Sequence, residues 1–249
     1  MRVICWNIHQ SKAAWDYAVD SLGGDVLIFQ ESKNPPADPK ISSIFDIIQA
    51  DEPGAMKPRT WGNSTSVMSG SIERVDVGSE YKGSLNTAII TTQGERKIGI
   101  ANIYGLLEKY PDQPNPVVYL GIHRKLDNVE RWINGQVEPK PEFFIVCGDF
   151  NNDRRMDDHK TFKGSKQGRT SNELLDRVIG LGMTDLLAVA YPDFIQTIRH
   201  NRSKFPWQLD HFFVSNRAAS LVTRIEVIDN PQVREISDHN PIVVDFDLT

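Results

Sequence analysis

The stretch Phe143-Phe144-Ile145-Val146-Cys147-Gly148-Asp149-Phe150-Asn151 decides the fold. Its apolar run predicts a buried strand that stops at a glycine. Asp149 and Asn151 follow at the strand end, two residues apart, and therefore project to the same face of an extended chain. An acid and an amide at the mouth of a buried strand are costly to place for structure alone. This pattern indicates a functional site, although an ordinary Asp-x-Asn turn is the structural alternative.

Composition bounds the class of protein. The 249 residues are 39% hydrophobic and 24% charged, as in soluble globular proteins. No break in composition marks a linker, so we predict a single domain over residues 1–249. The net charge of −5 excludes a generally basic nucleic-acid-binding surface, so any contact with nucleic acid needs a local basic patch.

The lack of a recognisable targeting signal and the use of cysteine suggest an intracellular chain. No segment approaches the ~18 apolar residues that a transmembrane helix needs, and no signal peptide is recognisable at the start. Cys5 and Cys147 both lie in apolar strand runs, which indicates reduced core residues. We therefore expect a cytoplasmic protein with no membrane partner, and a monomer.

The first part of the chain predicts a strand–helix–strand unit. Arg2 to Asn7 and Asp25 to Gln30 are apolar runs that end on polar residues, and a short amphipathic helix from Ala13 to Leu22 lies between them. Such a unit makes the two strands parallel neighbours in one sheet. Asn7 and Glu31 are then expected at the same sheet edge.

The middle of the chain predicts shorter strands and two helices. We expect strands over residues 64–68, 72–77, 86–92 and 97–104, with a hairpin turn at Gln93-Gly94. Ile41 to Ala50 is expected to form a short helix. Apolar residues recur at helical spacing from Val118 to Ile133, which predicts a helix with one apolar face.

Polar residues recur where apolar strands end. Besides Asn7, Glu31 and the Asp149–Asn151 pair, Asp210 interrupts the apolar run 208–215, and Ser237-Asp238-His239-Asn240-Pro241 precedes the last strand. Each has a structural alternative: a strand-end residue, a buried salt bridge or a turn. Taken together, carboxylates, amides and histidine at converging strand ends are the set that a divalent-metal phosphoryl site requires.

Charge repulsion within this set calls for a cation or for protonation of the acids. Two like charges about 4 Å apart repel by ~4 kcal/mol at an effective dielectric constant of 20. Hard cations such as Mg²⁺, with Mn²⁺ as the alternative, favour carboxylate and amide oxygens. The cysteines and histidines lack the spacing of a zinc site.

These motifs resemble those of the endonuclease/exonuclease/phosphatase superfamily. The residues that carry the resemblance run in order along nearly the whole chain: Trp6-Asn7, Gln30-Glu31, Gly148-Asp149-Phe150-Asn151, Leu209-Asp210 and Ser237-Asp238-His239. The resemblance implies a DNase I-like fold, an α/β four-layered sandwich of two packed mixed β-sheets flanked by helices. It also implies metal-dependent hydrolysis of a phosphate ester.

The resemblance also implies roles for individual residues. Metal ligands would be Glu31, Asn7 and Asp238, and catalytic residues would be Asp149, Asn151, His239, Asp210 and Tyr104. Asp149 would orient or deprotonate the attacking water, Asn151 would hold the phosphate or that Asp, and Asp210 would polarise His239. Tyr104 is similar to the tyrosine of the exonuclease III and retrotransposon-endonuclease branches, its structural alternative being a core tyrosine. His9 departs from the pattern, because several relatives carry Asp or Asn near the metal there.

Basic residues beside the motifs predict the substrate. Two basic loops, Arg154 to Arg169 and Arg199 to Lys204, could track a phosphate backbone. With the neighbouring tryptophan they supply the expected substrate-binding residues: Arg154, Arg155, Lys160, Arg199, Arg202 and Trp207. Trp207 could stack on a base. The alternatives are a solvated surface for the basic loops and core packing for Trp207.

Three functions remain open at this point. The first is a Mg²⁺-dependent endonuclease or exonuclease that acts on DNA, with RNA as the alternative substrate. The second is a phosphatase or phosphodiesterase of a small phosphorylated molecule or nucleotide, whose rate would not depend on the basic loops. The third is an inactive binding scaffold, which the unneutralised acid cluster argues against.

Overall fold

A computed structural model describes residues 1–53, 55, 57–106, 119–160, 171–199 and 205–249. Within these ranges, strands numbered β1 to β12 in chain order form two six-stranded sheets. The first sheet has the spatial order β11 (Val222–Val227), β12 (Ile242–Phe246), β1 (Arg2–Asn7), β2 (Val26–Ser32), β4 (Gly62–Val67) and β3 (Ser42–Ile47). The second has the order β5 (Ser71–Arg74), β6 (Leu85–Thr91), β7 (Lys97–Tyr104), β8 (Phe143–Asp149), β10 (Asp210–Ser215) and β9 (Met183–Asp185).

The helices of the described ranges are short apart from one. They are α1 (Lys12–Asp16), which continues as a π-helical turn (Tyr17–Ser21), α2 (Tyr119–Ile133), α3 (Ser171–Gly180), α4 (Leu186–Ala190) and α5 (Pro231–Ile236). The described ranges also contain two 3₁₀ helices, Arg154–Met156 and Asn216–Leu221. None of the described helices is long and apolar enough to cross a membrane.

Each sheet contains one parallel pair of strands in its centre. β1 pairs in parallel with β2, and β7 pairs in parallel with β8, whereas the remaining neighbours are antiparallel. The predicted parallel unit at the start of the chain is therefore confirmed, as is the β6–β7 hairpin. Parallel strands end on the same side of a sheet. The last residues of β1, β2, β7 and β8 therefore lie at one end of the sandwich.

Three apolar clusters hold four layers together. One lies between the sheets and includes Cys5, Ile28, Ile100 and Cys147. The second packs the apolar face of α2, together with α3, onto the outer face of the second sheet. The third packs α1 and α5 onto the outer face of the first sheet. The predicted α/β four-layered sandwich is thus confirmed, with mixed sheets inside and helices outside.

The helix predicted over Ile41 to Ala50 is wrong, because this segment contains strand β3. Its residues pair with β4 in an antiparallel register, from Ser42 opposite Val67 to Ile47 opposite Gly62. β3 is an edge strand and only half-buried. The pairing partner, rather than a local apolar periodicity, determines its conformation.

Gly148 lets two backbones approach closely beside the end of β8. Its φ of 140° belongs to a region that side chains rarely adopt, and a Cβ there would lie 1.9 Å from the carbonyl oxygen of Ile103. We expect Gly148→Ala to lower the free energy of unfolding by about 3 kcal/mol, measured by urea denaturation. Gly180→Ala is the matched control, since an added Cβ meets no atom within 4 Å there. Equal stabilities of the two variants would contradict this account of Gly148.

Candidate active site

Strand register brings the predicted residues to one end of the sandwich. Asn7 lies opposite Gln30 in the first sheet, and Asp149 lies opposite both Asp210 and Tyr104 in the second. The two sheets meet where Asn7 Nδ2 donates to Asp149 Oδ2 at 3.0 Å. The expected proximity of Asn7 and Glu31 is confirmed, because the same amide nitrogen lies 3.2 Å from Glu31 Oε1.

Unusual backbone conformations are concentrated at this end. Of the five non-glycine residues with positive φ in the described ranges, four are here: His9 at 46°, Gln10 at 63°, Glu31 at 49° and Asn151 at 49°. Such conformations cost free energy and persist where the surrounding structure enforces them. Glu31 lies near the end of β2 and Asn151 just after β8, at the end of the sandwich that we call the mouth.

Asp149 is a buried carboxylate with several donors around it. It is 1% exposed, and it accepts from Asn7 and from the backbone N–H of Asn151 at 2.8 Å. Asn151 Nδ2 is 3.3 Å from Asp149 Oδ2 and also donates to the carbonyl of Gly105 at 2.9 Å. Burial raises the pKa of Asp149 to about 7, although the charge of His239 and the Asn7 hydrogen bond act in the opposite direction.

His239 is held between two buried carboxylates. Its Nδ1 lies 2.8 Å from Asp210 Oδ2, and its Nε2 lies 3.8 Å from Asp149 Oδ2. Burial alone would lower the pKa of His239, but the charges of Asp210 and Asp149 outweigh it and raise that pKa to about 10. The ring is therefore an imidazolium near neutral pH. It carries positive charge to within reach of the mouth.

Glu31 and Tyr104 form a second acidic corner of the mouth. The Tyr104 hydroxyl donates to Glu31 Oε1 at 3.0 Å. Burial raises the pKa of Tyr104 well above its usual value, and the charges of Glu31 and Asp149 raise it further. Tyr104 therefore remains a protonated donor in the physiological range. Its ring packs edge-on against Trp61, with centroids 5.5 Å apart.

Asp238 and His9 border Glu31 on the solvent side. His9 Nδ1 lies 3.8 Å from Glu31 Oε2 and 3.7 Å from Asp238 Oδ1. The side chain of Asp238 is 36% exposed, yet its Oδ1 is buried and has no hydrogen-bond partner among the described residues. This oxygen is thus available as a ligand atom.

Two places in this mouth could hold a cation. Ligand atoms of Asp149, Asp210 and His239 all lie within 4.8 Å of one another. The second place is the corner formed by Glu31, Asn7 and Asp238, whose side chains offer oxygen ligands. Its oxygen donors and the unsatisfied Asp238 Oδ1 fit a hard divalent cation.

The basic residues that were predicted to bind substrate differ in whether they pair with carboxylates. Arg154 pairs with Asp176 at 2.7 Å, Arg155 pairs with buried Asp153 at 2.5 Å, and Arg199 pairs with Asp229. The guanidinium of Arg155 also lies 3.5 Å from the ring centroid of Phe194. By contrast, Lys160 is exposed, and the described residues offer it no acidic partner within 4 Å. Arg202 lies outside the described residues, as do Lys163, Lys166, Arg169 and Lys204 of the two loops.

Trp207 belongs to an apolar cluster beside the rim. It is 8% exposed and packs with Met156, Ile198 and Leu209. Phe205 lies with its ring centroid 4.2 Å from that of Trp207. With the ring buried in this way, its stacking on a base stays a prediction.

Several residues that support the site were given no role from the sequence, although Trp6 was part of a quoted motif. Thr197 Oγ1 accepts from the backbone of Asp210 at 3.1 Å, and Trp6 Nε1 donates to the His239 carbonyl at 2.8 Å. Asn102 is buried between the sheets, where its Oδ1 accepts from Gln30 at 2.7 Å. A polar residue inside the apolar run 98–104 was the signal for Asn102. Thr197 offered no such signal, because it lies outside any strand or helix.

These groups can transfer protons and can stabilise negative charge on a bound anion. Asp149 can accept a proton, His239 can donate one or stabilise negative charge, and Tyr104 and Asn151 can donate hydrogen bonds. A carboxylate corner for a cation adjoins them. All face one mouth at the end of the sandwich.

The model of the Endonuclease/Exonuclease/phosphatase family matches residues 6–239. Solved structures share the fold. An AP endonuclease from Archaeoglobus fulgidus has a TM-score of 0.69 at 18% identity, with 100% of both chains covered. The endonuclease domain of TRAS1, a telomere-specific non-LTR retrotransposon, has a TM-score of 0.64 at 18% identity, covering 100% of this chain and 99% of that one.

A third structure is the 3′ phosphatase NExo from Neisseria, bound to a product DNA hairpin. It has a TM-score of 0.68 at 16% identity and covers 99% of each chain. No curated protein matches this sequence significantly. The expected superfamily is confirmed by the family match, and these neighbours share its fold.

Proposed function

Because the chain belongs to the endonuclease/exonuclease/phosphatase family, a family of phosphate-ester hydrolases, we propose that it is a Mg²⁺-dependent nuclease that cuts DNA. The observation that carries the proposal is the pairing of two groups in one mouth. Buried Asp149 lies 3.8 Å from His239, whose ring is fixed and charged by Asp210. A proton acceptor thus stands beside a cationic group, as hydrolysis of a phosphate ester requires.

Asp149 acts on the attacking water in this proposal. Its Oδ1 and Oδ2 are oriented by donors from Asn151 and Asn7. The water oxygen bonds to phosphorus while one of its protons passes to Asp149. The burial that raises the pKa of Asp149 makes it a better base than an exposed aspartate.

His239 stabilises the phosphate as charge grows on its oxygens. Asp210 fixes the ring through Nδ1, which leaves Nε2 facing the mouth. The bond from phosphorus to the leaving oxygen breaks, and that oxygen takes up a proton from solvent water and leaves as an alcohol. Asn151 Nδ2 would donate to the phosphate in place of its 3.3 Å contact with Asp149, and the Tyr104 hydroxyl would do so in place of its bond to Glu31.

A divalent cation, when bound, supplies Lewis-acid neutralisation of the phosphate oxygens. Glu31, Asn7 and Asp238 would hold it, since their oxygens suit Mg²⁺, with Mn²⁺ as a substitute. DNA is the proposed polymer, and a DNA-bound relative of the same fold supports that choice.

A second candidate is a phosphatase of a small or terminal phosphate ester. The ion pairs that Arg154, Arg155 and Arg199 form with carboxylates favour it. Arginines paired in this way are less available to bind the phosphates of a nucleic-acid backbone. One of the structural neighbours is itself a 3′ phosphatase. The same catalytic groups would serve either reaction.

The deciding experiment compares substrates and metals. The purified protein is incubated with supercoiled plasmid, single-stranded DNA, RNA, a 3′-phosphorylated oligonucleotide and p-nitrophenyl phosphate, each with Mg²⁺, Mn²⁺ or EDTA. We expect metal-dependent cleavage of DNA that EDTA abolishes. Phosphate release without cleavage of any polymer would replace the nuclease by the phosphatase. Cleavage that persists in EDTA would contradict the metal dependence.

Lys160 provides a test of the polymer substrate. If it contacts a DNA phosphate, Lys160→Ala should weaken DNA binding and reduce the slope of log K against log salt by about 1. The measurement is a salt series of DNA-binding isotherms by fluorescence anisotropy in Ca²⁺. Lys140→Ala is the matched control, since Lys140 is exposed and precedes β8, at the opposite end of that strand from Asp149. Identical salt slopes for all three proteins would exclude this contact.

A further inference from the structure

We propose that His9 is a metal ligand of this site and that its imidazole raises the affinity for transition-metal ions relative to Mg²⁺. The inference rests on the proposed metal-dependent function and adds a nitrogen donor to it. A site of carboxylate and amide oxygens alone would favour Mg²⁺. One histidine in the same corner changes the donor set.

The backbone fixes the His9 ring over the acidic corner. The backbone N–H of His9 donates to Asn7 Oδ1 at 3.1 Å, and the left-handed φ of 46° turns the side chain away from β1. Its Nδ1 then faces Glu31 Oε2 at 3.8 Å and Asp238 Oδ1 at 3.7 Å. A ring nitrogen thus adjoins two carboxylate oxygens, one of them without a hydrogen bond among the described residues.

The geometry places a nitrogen donor next to both carboxylates. Because Nδ1 lies 3.8 Å from an oxygen of Glu31 and 3.7 Å from an oxygen of Asp238, a divalent cation between the two acids would also be within reach of the imidazole nitrogen. The solvent-exposed side chain, 63% accessible, is free to make the small adjustment to a coordination distance.

The donor type predicts the selectivity. Affinity of a given site for first-row divalent ions rises from Mn²⁺ through Co²⁺ to Ni²⁺, and imidazole strengthens binding of the later ions. Mg²⁺ gains little from nitrogen and retains its waters. Replacing His9 by Asp should therefore lower the preference for Co²⁺ over Mg²⁺.

Pulsed EPR of bound Mn²⁺ tests direct coordination without any substrate. Protein labelled with ¹⁵N only at histidine should display a ¹⁵N hyperfine coupling of a directly bound imidazole. The coupling should disappear in His9→Asp and persist in His239→Gln. Bound Mn²⁺ with no histidine coupling in the wild-type protein would overturn the inference, as would a coupling lost only in His239→Gln.

Metal affinities provide the second readout. We expect the ratio of the Mg²⁺ Kd to the Co²⁺ Kd to fall by roughly tenfold in both His9→Asp and His9→Asn. Both replacements tolerate the left-handed conformation, so the fold should survive, as checked by circular dichroism. An unchanged ratio overturns the inference. Failure of DNA cleavage with the histidine coupling intact would overturn only the nuclease proposal, whereas absence of any metal binding would overturn both.

Discussion

Asp149→Asn is expected to reduce the rate of phosphate-ester hydrolysis by roughly 10³-fold, because an amide cannot accept the proton of the attacking water. The replacement is nearly isosteric. The oxygen of the introduced amide can still accept a hydrogen bond from Asn7 or from the Asn151 backbone, the two contacts that fix the side chain. The loss should therefore appear in kcat and not in folding.

The measurement is the initial rate of plasmid nicking, or of phosphate release if that is the reaction, at saturating metal. Thermal unfolding of the variant should stay close to that of the parent protein. Asp127→Asn is the matched control, since Asp127 is exposed on α2 and pairs with Arg177 at 2.6 Å away from the mouth. A variant that keeps more than about a tenth of the parental rate would remove Asp149 from the role of base.

The site could be predicted from sequence where strands end on polar residues. Asn7, Glu31 and Asp149 each terminate an apolar run, and parallel pairing brings such ends together. The sequence pattern therefore contained the residues and the reason why Asn7 and Glu31 are close, but not the approach of Asp149, which lies in the other sheet. The hydrogen bond from Asn7 to Asp149 joins the two sheets at that point.

Other features depend on partners that are distant in sequence and carry no local signal. β3 is a strand because β4 lies beside it, although its segment was expected to be helical. Thr197 supports Asp210 from a segment outside the regular elements. The basic residues could be identified in the sequence. Their pairing with carboxylates could not, because the partners of Arg154 and Arg199 are 22 and 30 positions away.

The buried hydrogen-bond network between the sheets was only partly predictable from the sequence. Asn102 is a polar residue inside an apolar strand of the second sheet, but its role becomes visible only when the first sheet is in place. It joins Gln30 to the backbone of Ser64, with distances of 2.7 and 3.0 Å. Such bonds offset the desolvation of a buried amide, and they fix the relative position of the sheets and hence of Glu31 and Asp149.

Removal of His239 should have the second large effect. His239→Gln is expected to lower the hydrolysis rate by roughly 10²- to 10³-fold, because the positive charge beside the phosphate is lost. Asp210→Asn should lower it by a smaller factor of about 10 to 10², since the ring remains but loses the partner that orients it and raises its pKa.

Combining the two changes distinguishes a shared role from separate ones. If Asp210 acts through His239, the double variant should be about as slow as His239→Gln, and the effects will not multiply. The Nδ1 contact at 2.8 Å and the burial of both groups favour this outcome. His123→Gln serves as the control histidine, half-buried between α2 and α3 near Arg177. A double variant slower by the product of the single effects would mean that Asp210 contributes to the reaction independently of the ring.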